Sequence, residues 1–492
     1  MTTMQSHAGG RPEGERAAGA ERGVRGLATR VRAEGSAIRG DRLTSEDAPF
    51  WFVTPALGWS VVLQLVWVFD EEVSIEALTA MNAALARGRL NRMLVVPDVR
   101  GARPRWVDAP DAPGLAADSQ PVSETEIDEW ATAEMSAVPL DAEGGRCWRL
   151  RSVPTADGGT VVSLCALHVV TDGRGMLAAA TEAAEASAVP LDPASGPGAA
   201  AADEPTLPSV SWRRRRAGDV VDAGSQVVAV VAGLARAALE QRKAGGPEPD
   251  PRPARPPIAE RSPAAEFTWA TATVPAADFD RVAAEHDGTA NTLFIAVVSG
   301  LLRSSGHAPL PNPIKVGVPV DRRESEADTR SNPIAGVSVY LTDEPVAGGD
   351  LGGIRSACKA AFVRLSEGRR APHIHLRPLA WFLPPAVIVK IVSAGNGIPD
   401  AVISNLGDVP PAATVLGGRP ARKIAFRGMA QGVDASAGQR FGDGVQSWLV
   451  RTRDQVTFTV LGCDESSFSS DAVVADLLDR ELTAWGLPHE IW

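Results

Sequence analysis

Residues Thr160 to Ala180, reading TVVSLCALHVVTDGRGMLAAA, constrain this chain more than any other stretch. The first part follows the turn signal Asp157-Gly158-Gly159 and is apolar almost throughout, which is the pattern of a strand buried on both faces. From Arg174 the composition changes to Ala, Met, Leu and Glu, good helix formers, so strand passes into helix across His168, Asp172 and Gly173. Open α/β sheets gather their ligands outside such strand ends. A neutral imidazole at the mouth of a cleft suits taking a proton from an alcohol or amine near neutral pH. An Asp across a tight turn, with Gly beside it to permit the turn, can fix the loop by accepting backbone hydrogen bonds and pairing with a distant Arg. On that reading His168 is the proton acceptor and Asp172 is architectural. The same residues also fit a satisfied core histidine and the N-cap of the following helix.

A chain of 492 residues exceeds one ordinary core and implies two domains. Its 44% hydrophobic and 22% charged residues fit a globular protein. A formal charge of -11 argues against a nucleic-acid or anionic-membrane partner, since phosphate binding needs a cationic surface. Cys147, Cys165, Cys358 and Cys463 lie far apart with no C-x-x-C pair, so neither a zinc site nor a disulfide framework is expected, and a reducing cytoplasm is the simplest compartment. His373 and His375 are two residues apart, but no carboxylate or Cys accompanies them; no metal site is expected. Residues 1 to 45 carry Arg, Glu and Gly throughout, which reads as a disordered tail without the apolar core of a signal peptide. No transmembrane segment is expected, because Gly58 to Phe69 is too short and Leu376 to Val392 is interrupted by prolines and Lys390. The latter segment leaves room for peripheral membrane contact or a lipid-lined tunnel, although a buried core segment is the favoured reading.

The first domain, residues 46 to 184, reads as a strand at Val61 to Phe69, a helix from the Ser74 cap to Arg87, and short strands near Met93 to Val96 and Arg105 to Val107. A helix opened by the Ser123/Glu126 capping-box spacing follows, then a hairpin of Arg146 to Val153 and Thr160 to Leu167 that delivers the His loop. This order suits an α+β sandwich. Residues 185 to 263 form a linker rich in Ala, Pro and Gly, interrupted by a helix at about 220 to 243 packed on one domain. Arg213 to Arg216 within it read as a solvated charge run, with a carrier-protein docking patch as the alternative. The second domain, residues 264 to 492, opens with a strand at Glu266 to Val274. It continues through an apolar helix at 289 to 303, a strand at Ile314 to Arg323, and AVISNLGDVP from Ala401. A final hairpin, Gly442 to Val450 with Gln455 to Gly462, precedes a closing helix at Asp471 to Trp485.

The order Leu140-Asp141, Cys147-Trp148-Arg149-Leu150, Asp157-Gly158-Gly159 and His168 to Gly173 resembles the HHxxxDG acyltransferases. That superfamily holds chloramphenicol acetyltransferase, nonribosomal peptide condensation domains, and the wax ester synthase and polyketide-associated acyltransferase branches. Leu167 replaces the first His of the doublet, and His168 keeps the second, which is the catalytic one in the family. The resemblance implies two chloramphenicol-acetyltransferase-like α/β sandwich subdomains with an active-site tunnel between them. IKVGVPVDRR matches the family's V-P-V-x-x-R segment, making Arg323 the implied partner of Asp172; an ordinary surface arginine is the bland reading. Asn291 matches the family's Asn-Asp helix, with Thr292 in place of the Asp, and is equally a first-turn residue. Ser331-Asn332 resembles the G-N segment, with Ser for Gly. Ser404 and Asn405 match its S-N-L-G segment and would position the thioester, while strand-end turn chemistry explains them as well.

The implied activity is transfer of an acyl group from a thioester to a hydroxyl or amine, with His168 as general base. An acyl-CoA or a phosphopantetheine-borne acyl-carrier protein serves as co-substrate, a small molecule as acceptor, and no tightly bound cofactor is required. The other readings are a non-catalytic condensation-like docking platform and a lipid-binding protein using the same tunnel.

Overall fold

In the computed structural model of the chain, residues 42–188, 212–243, 250–252, 267–325, 328–342, 346–367, 372–388, 398–433 and 442–492 are described. The expected tail lies outside them as far as residue 41, and most of the linker does too. Residues 42 to 45 depart from the tail reading: Leu43 is fully buried, and Arg42 bridges to Arg105.

The first subdomain opens with α1 (Ala48–Leu57), a helix that the sequence pattern did not signal. It leads into β1 (Ser60–Phe69), after which come α2 (Ile75–Arg87), the paired strands β2 (Arg92–Val95) and β3 (Arg105–Asp108), β4 (Ala116–Ala117) and α3 (Ile127–Ala137). The hairpin of β5 (Trp148–Pro154) and β6 (Thr160–Leu167) then runs into α4 (Gly173–Ala188). Ser74 caps α2 by accepting from the Ala77 N–H at 3.3 Å. The Ser123 backbone N–H donates to Glu126 Oε2 at 2.8 Å, so the capping-box spacing acts ahead of α3.

The second subdomain contains β7 (Thr268–Pro275), α6 (Ala276–Glu285), α7 (Ala290–Ser304), β8 (Ile314–Asp321), β9 (Ile334–Leu341) and α8 (Gly352–Ser366). β10 (Ala401–Asp408), the small hairpin β11 (Val415–Leu416) and β12 (Arg419–Pro420), β13 (Lys423–Gln431), β14 (Val445–Arg451), β15 (Gln455–Gly462), α9 (Asp471–Ala484) and β16 (Glu490–Ile491) follow. Between the subdomains runs α5 (Trp212–Lys243), which begins eight residues before the expected 220.

The first sheet has the order β13-β1-β6-β5-β4. Alternation along β1 divides its faces: Leu63, Leu65 and Trp67 pack with Leu78 and Met81 of α2 and Met176 and Ala180 of α4, while Val66 and Val68 meet Ile127 and Ala131 of α3. Helices on both faces explain why β6 is buried along its whole length. The second sheet has the order β16-β7-β15-β14-β10-β8-β9, with a core that includes Phe279, Phe294, Phe458 and Leu478. Within it β8, β10 and β14 run parallel, so their carboxyl ends fall on one edge.

β13 lies in sequence inside the expected second domain, yet it pairs with β1 from Ser60↔Gln431 to Val68↔Lys423. A division at residue 264 therefore does not describe this strand, which crosses over to finish the first sheet. Arg427 of β13 is buried, its guanidinium 4.4 Å from the ring centroid of Trp269 in β7 and 2.7 Å from Thr132 Oγ1. The crossover strand thus ties the two cores together.

Candidate active site

The buried hairpin strand β6 ends at Leu167, and the chain turns through His168 to Asp172 before α4 begins. The Asp172 carboxylate accepts three hydrogen bonds from two residues. Arg323, just beyond β8, donates through Nη2 to Oδ1 at 2.8 Å and through Nη1 to Oδ2 at 3.0 Å. The Gly175 N–H donates to Oδ1 at 2.7 Å, which makes Asp172 the cap of α4 as well as an ion-pair partner. Its own N–H donates to the Ser331 carbonyl at 3.0 Å. Both sequence readings of Asp172, architectural anchor and helix cap, describe the same geometry.

Gly173 is present for a different reason from the expected one. Its φ is not in the left-handed region. Instead, a Cβ there would lie 2.6 Å from Leu406 Cδ2, so the start of α4 abuts β10 of the second subdomain. At Gly175 a Cβ would come 2.5 Å from Thr171 Oγ1 and 3.0 Å from Arg323 Nη2. Both glycines give space for contacts across the subdomain boundary.

His168 does not hydrogen-bond to Asp172. Its Nδ1 lies 2.9 Å from Asn332 Oδ1. Asn332 Nδ2 donates to the His168 carbonyl at 2.9 Å and to Asp47 Oδ1 at 2.9 Å. A backbone carbonyl can only accept, so the amide NH₂ must face it and the Oδ1 must face the ring. Nδ1 therefore carries the proton, and Nε2 is left with its lone pair. Asp47, just ahead of α1, is in turn held by the Thr44 N–H at 2.6 Å and the Thr44 hydroxyl at 2.8 Å. Arg92, buried in β2, donates to the Val170 carbonyl at 2.6 Å and to Ser331 Oγ at 3.2 Å, fastening the two loops together.

Phe50 of α1 stacks on the imidazole with centroids 3.7 Å apart and planes 10° from parallel. Protein surrounds most of the ring, and desolvation holds the His168 pKa below its ordinary value. The residue nonetheless keeps partial exposure. A fixed tautomer and a neutral ring near pH 7 are what a general base needs.

Asn405 and Asn291 come together, Nδ2 to Oδ1 at 3.4 Å. Asn405 Oδ1 accepts from the Gly407 N–H at 2.9 Å, and Gly407 adopts φ 75°, a conformation for which glycine is suited. The S-N-L-G segment is therefore a bulged strand end whose Leu406 touches the His loop. Among the described residues no hydrogen bond joins Ser404, Asn405 or Asn291 to His168. Thr292, standing where the resemblance has Asp, reaches back to the Thr289 N–H at 2.7 Å and completes the cap of α7. Asn332, Asp47, Phe50 and Arg92 were not picked out as site residues; the only signal in the sequence was the Ser331-Asn332 pair.

At the opposite end of β10, ligand atoms of His307, Asp400 and Asp443 lie within 4.8 Å of one another, close enough for a cation. Arg252 Nη1 already reaches Asp400 Oδ1 at 3.2 Å, and His307 Nδ1 is 3.1 Å from Asp464 Oδ2. This constellation reads as an ion-pair network that clasps residues 250–252 to the sheet.

The fold defined by these two helix-backed sheets is the two-subdomain condensation fold, with the His loop of one subdomain braced by the β8 and β10 ends of the other. Solved structures carry it. The wax ester synthase/diacylglycerol acyltransferase from Marinobacter aquaeolei VT8 superposes with TM-score 0.53 at 17% identity, covering 90% of this chain and 98% of that one. The first condensation domain of the calcium-dependent antibiotic synthetase, in complex with substrate analogue 2a, gives 0.56 at 16% identity, with 92% and 96% covered. The condensation domain from the Monacolin K polyketide synthase MokA gives 0.52 at 11% identity, with 90% and 96% covered. No family model matches the chain, and no curated protein matches it by sequence.

Proposed function

We propose that the protein is an acyltransferase that moves an acyl group from a thioester to a hydroxyl or amine acceptor, with His168 Nε2 as the general base. The observation that carries this reading is the orientation of Asn332, which places the proton on Nδ1 and leaves Nε2 unprotonated on a neutral ring. The acceptor's proton passes to Nε2 as its oxygen or nitrogen bonds to the thioester carbonyl carbon. The tetrahedral intermediate then expels sulfur, which takes the proton back from His168. One C–O or C–N bond forms, one C–S bond breaks, and a free thiol leaves. No oxidant, reductant or metal is required for that balance.

General-base catalysis of this kind contributes roughly 10²- to 10⁴-fold, so holding donor and acceptor together must supply much of the remainder. We propose that they meet in a tunnel between the subdomains beside His168, with Asp172, Arg323, Asn332 and Asp47 as positioning residues and Ser404, Asn405 and Asn291 nearer the substrates. Similarity of fold to a wax ester synthase and to condensation domains supports acyl transfer as the class of chemistry. The donor is an acyl-CoA or an acyl-carrier thioester, and the product an ester or an amide.

The test is thiol release from a panel of acyl-CoAs and acyl-carrier thioesters with alcohol and amine acceptors, comparing the native chain with His168→Ala. Acceptor-dependent release that requires His168 supports the enzyme. Binding of thioester without turnover supports a docking or lipid-binding role instead.

A further inference from the structure

Helix α5 is built inside out for a helix bathed in water. From residue 217 to 235 its exposed positions are Ala, Gly, Val, Ser and Leu alone. Val221, Val228 and Val231 are 71%, 68% and 63% exposed, and Val220, Val227, Leu234 and Leu239 are each more than half exposed. They recur at three-, four- and seven-residue intervals and so form one outward stripe. The only charges in that stretch, Asp219 and Asp222, are buried on the opposite face. There Arg42 Nη2 meets Asp219 Oδ1 at 2.6 Å, Arg105 Nη1 meets the same oxygen at 3.1 Å, and Arg103 Nη2 meets Asp222 Oδ1 at 2.8 Å. Further along, Gly233 presses against the backbone of the 3-10 segment Pro372–Phe382, where a Cβ would lie 2.0 Å from the His375 carbonyl oxygen. The helix is thus tied to the body by its polar side, and its apolar side is turned to solvent.

We infer that α5 seats the protein on a phospholipid bilayer, lying in the plane of the interface with the valine stripe among the acyl chains. Arg216 and Arg236 bracket the stripe, exposed at either end. They stand twenty residues apart, about 30 Å along a helix axis, and are placed to meet lipid phosphates while the residues between them enter the apolar layer. By length and composition Arg215–Leu239 is also apolar enough to cross a membrane. The ion pairs on Asp219 and Asp222 favour lying on the surface, since spanning would strip both carboxylates of their arginines. A protein partner fits less well, because the stripe presents no aromatic side chain among the described residues and protein interfaces are anchored by such residues. With a formal charge of -11 on the whole chain, attachment depends on the apolar stripe rather than on general attraction to anionic lipid. The inference stands apart from the proposed chemistry, since it uses no residue of the His168 site.

The experiment is flotation of the full chain with phosphatidylcholine vesicles, beside Val228→Asp, the milder Val228→Ser/Val231→Ser pair, and His168→Ala. The native chain and His168→Ala float alike, in low and high salt. Val228→Asp lowers the bound fraction by about tenfold or more, the serine pair by less, and thermal melting of both stays native, as expected for outward-facing side chains. Flotation of all variants alike overturns the inference, as does failure of the native chain to float. A native dimer in light scattering that the same substitutions dissociate overturns it in favour of a second copy as occupant.

Discussion

The catalytic reading turns on a single amide. Because Asn332 Nδ2 is committed to the His168 carbonyl and to Asp47, its oxygen selects the Nδ1–H tautomer of the ring. Asn332→Ala removes that selection without touching the reacting atoms, and kcat should fall by more than about tenfold while KM changes less. The pH profile provides a separate check. Burial holds the His168 pKa below 6.5, so the base is already neutral at pH 7. The rate should stay level through neutrality and decline only on the acid side of the ordinary histidine range; a limb at or above 6.5 contradicts the assignment. The same depression affects stability. The unfolded histidine takes up its proton first, so this contribution is complete above about 6.5 and is lost as pH falls below it. His168 was legible in the sequence because its strand, turn and helix are local. Asn332, Asp47 and Phe50 were not: Asn332 and Phe50 reach the ring from 164 and 118 positions away, Asp47 holds Asn332 from 121 positions before the histidine, and only the folded chain brings them there.

Among the elements, the end of β8 and the start of α4 form one joint. Asp172 is almost fully buried and its bidentate arginine is the compensating charge. Arg323→Ala leaves that carboxylate unpaired and should destabilise the fold by about 3 to 5 kcal/mol in urea unfolding. Arg323→Lys should recover only part, for lack of the second donor. Gly173→Ala tests the neighbouring contact. Its methyl group would overlap Leu406, and a loss of about 1 to 3 kcal/mol is expected, as for an overpacked core. A neutral outcome would mean that β10 gives way more easily than the packing indicates. Periodicity and caps located most helices and strands, because each signal lies within a few residues. The start of α5 eludes the local pattern because Asp219, ahead of residue 220, is balanced by Arg42 and Arg105, distant in sequence.

For the whole molecule, the feature that sequence order conceals is β13. Hydrophobic pattern can mark a strand but cannot say which sheet it joins, and here residues from the second half complete the first sheet. This crossing keeps the two cores in register, with Arg427 stacked on Trp269 between them, and so holds the His loop against the β8 and β10 ends. That junction is where the chemistry is expected. The most direct measurement is thiol release from an acyl thioester in the presence of an acceptor, by the native chain and by a folded His168→Ala variant. A loss of roughly 10²- to 10⁴-fold in the variant is the predicted result. Equal rates from the two proteins would contradict the central claim.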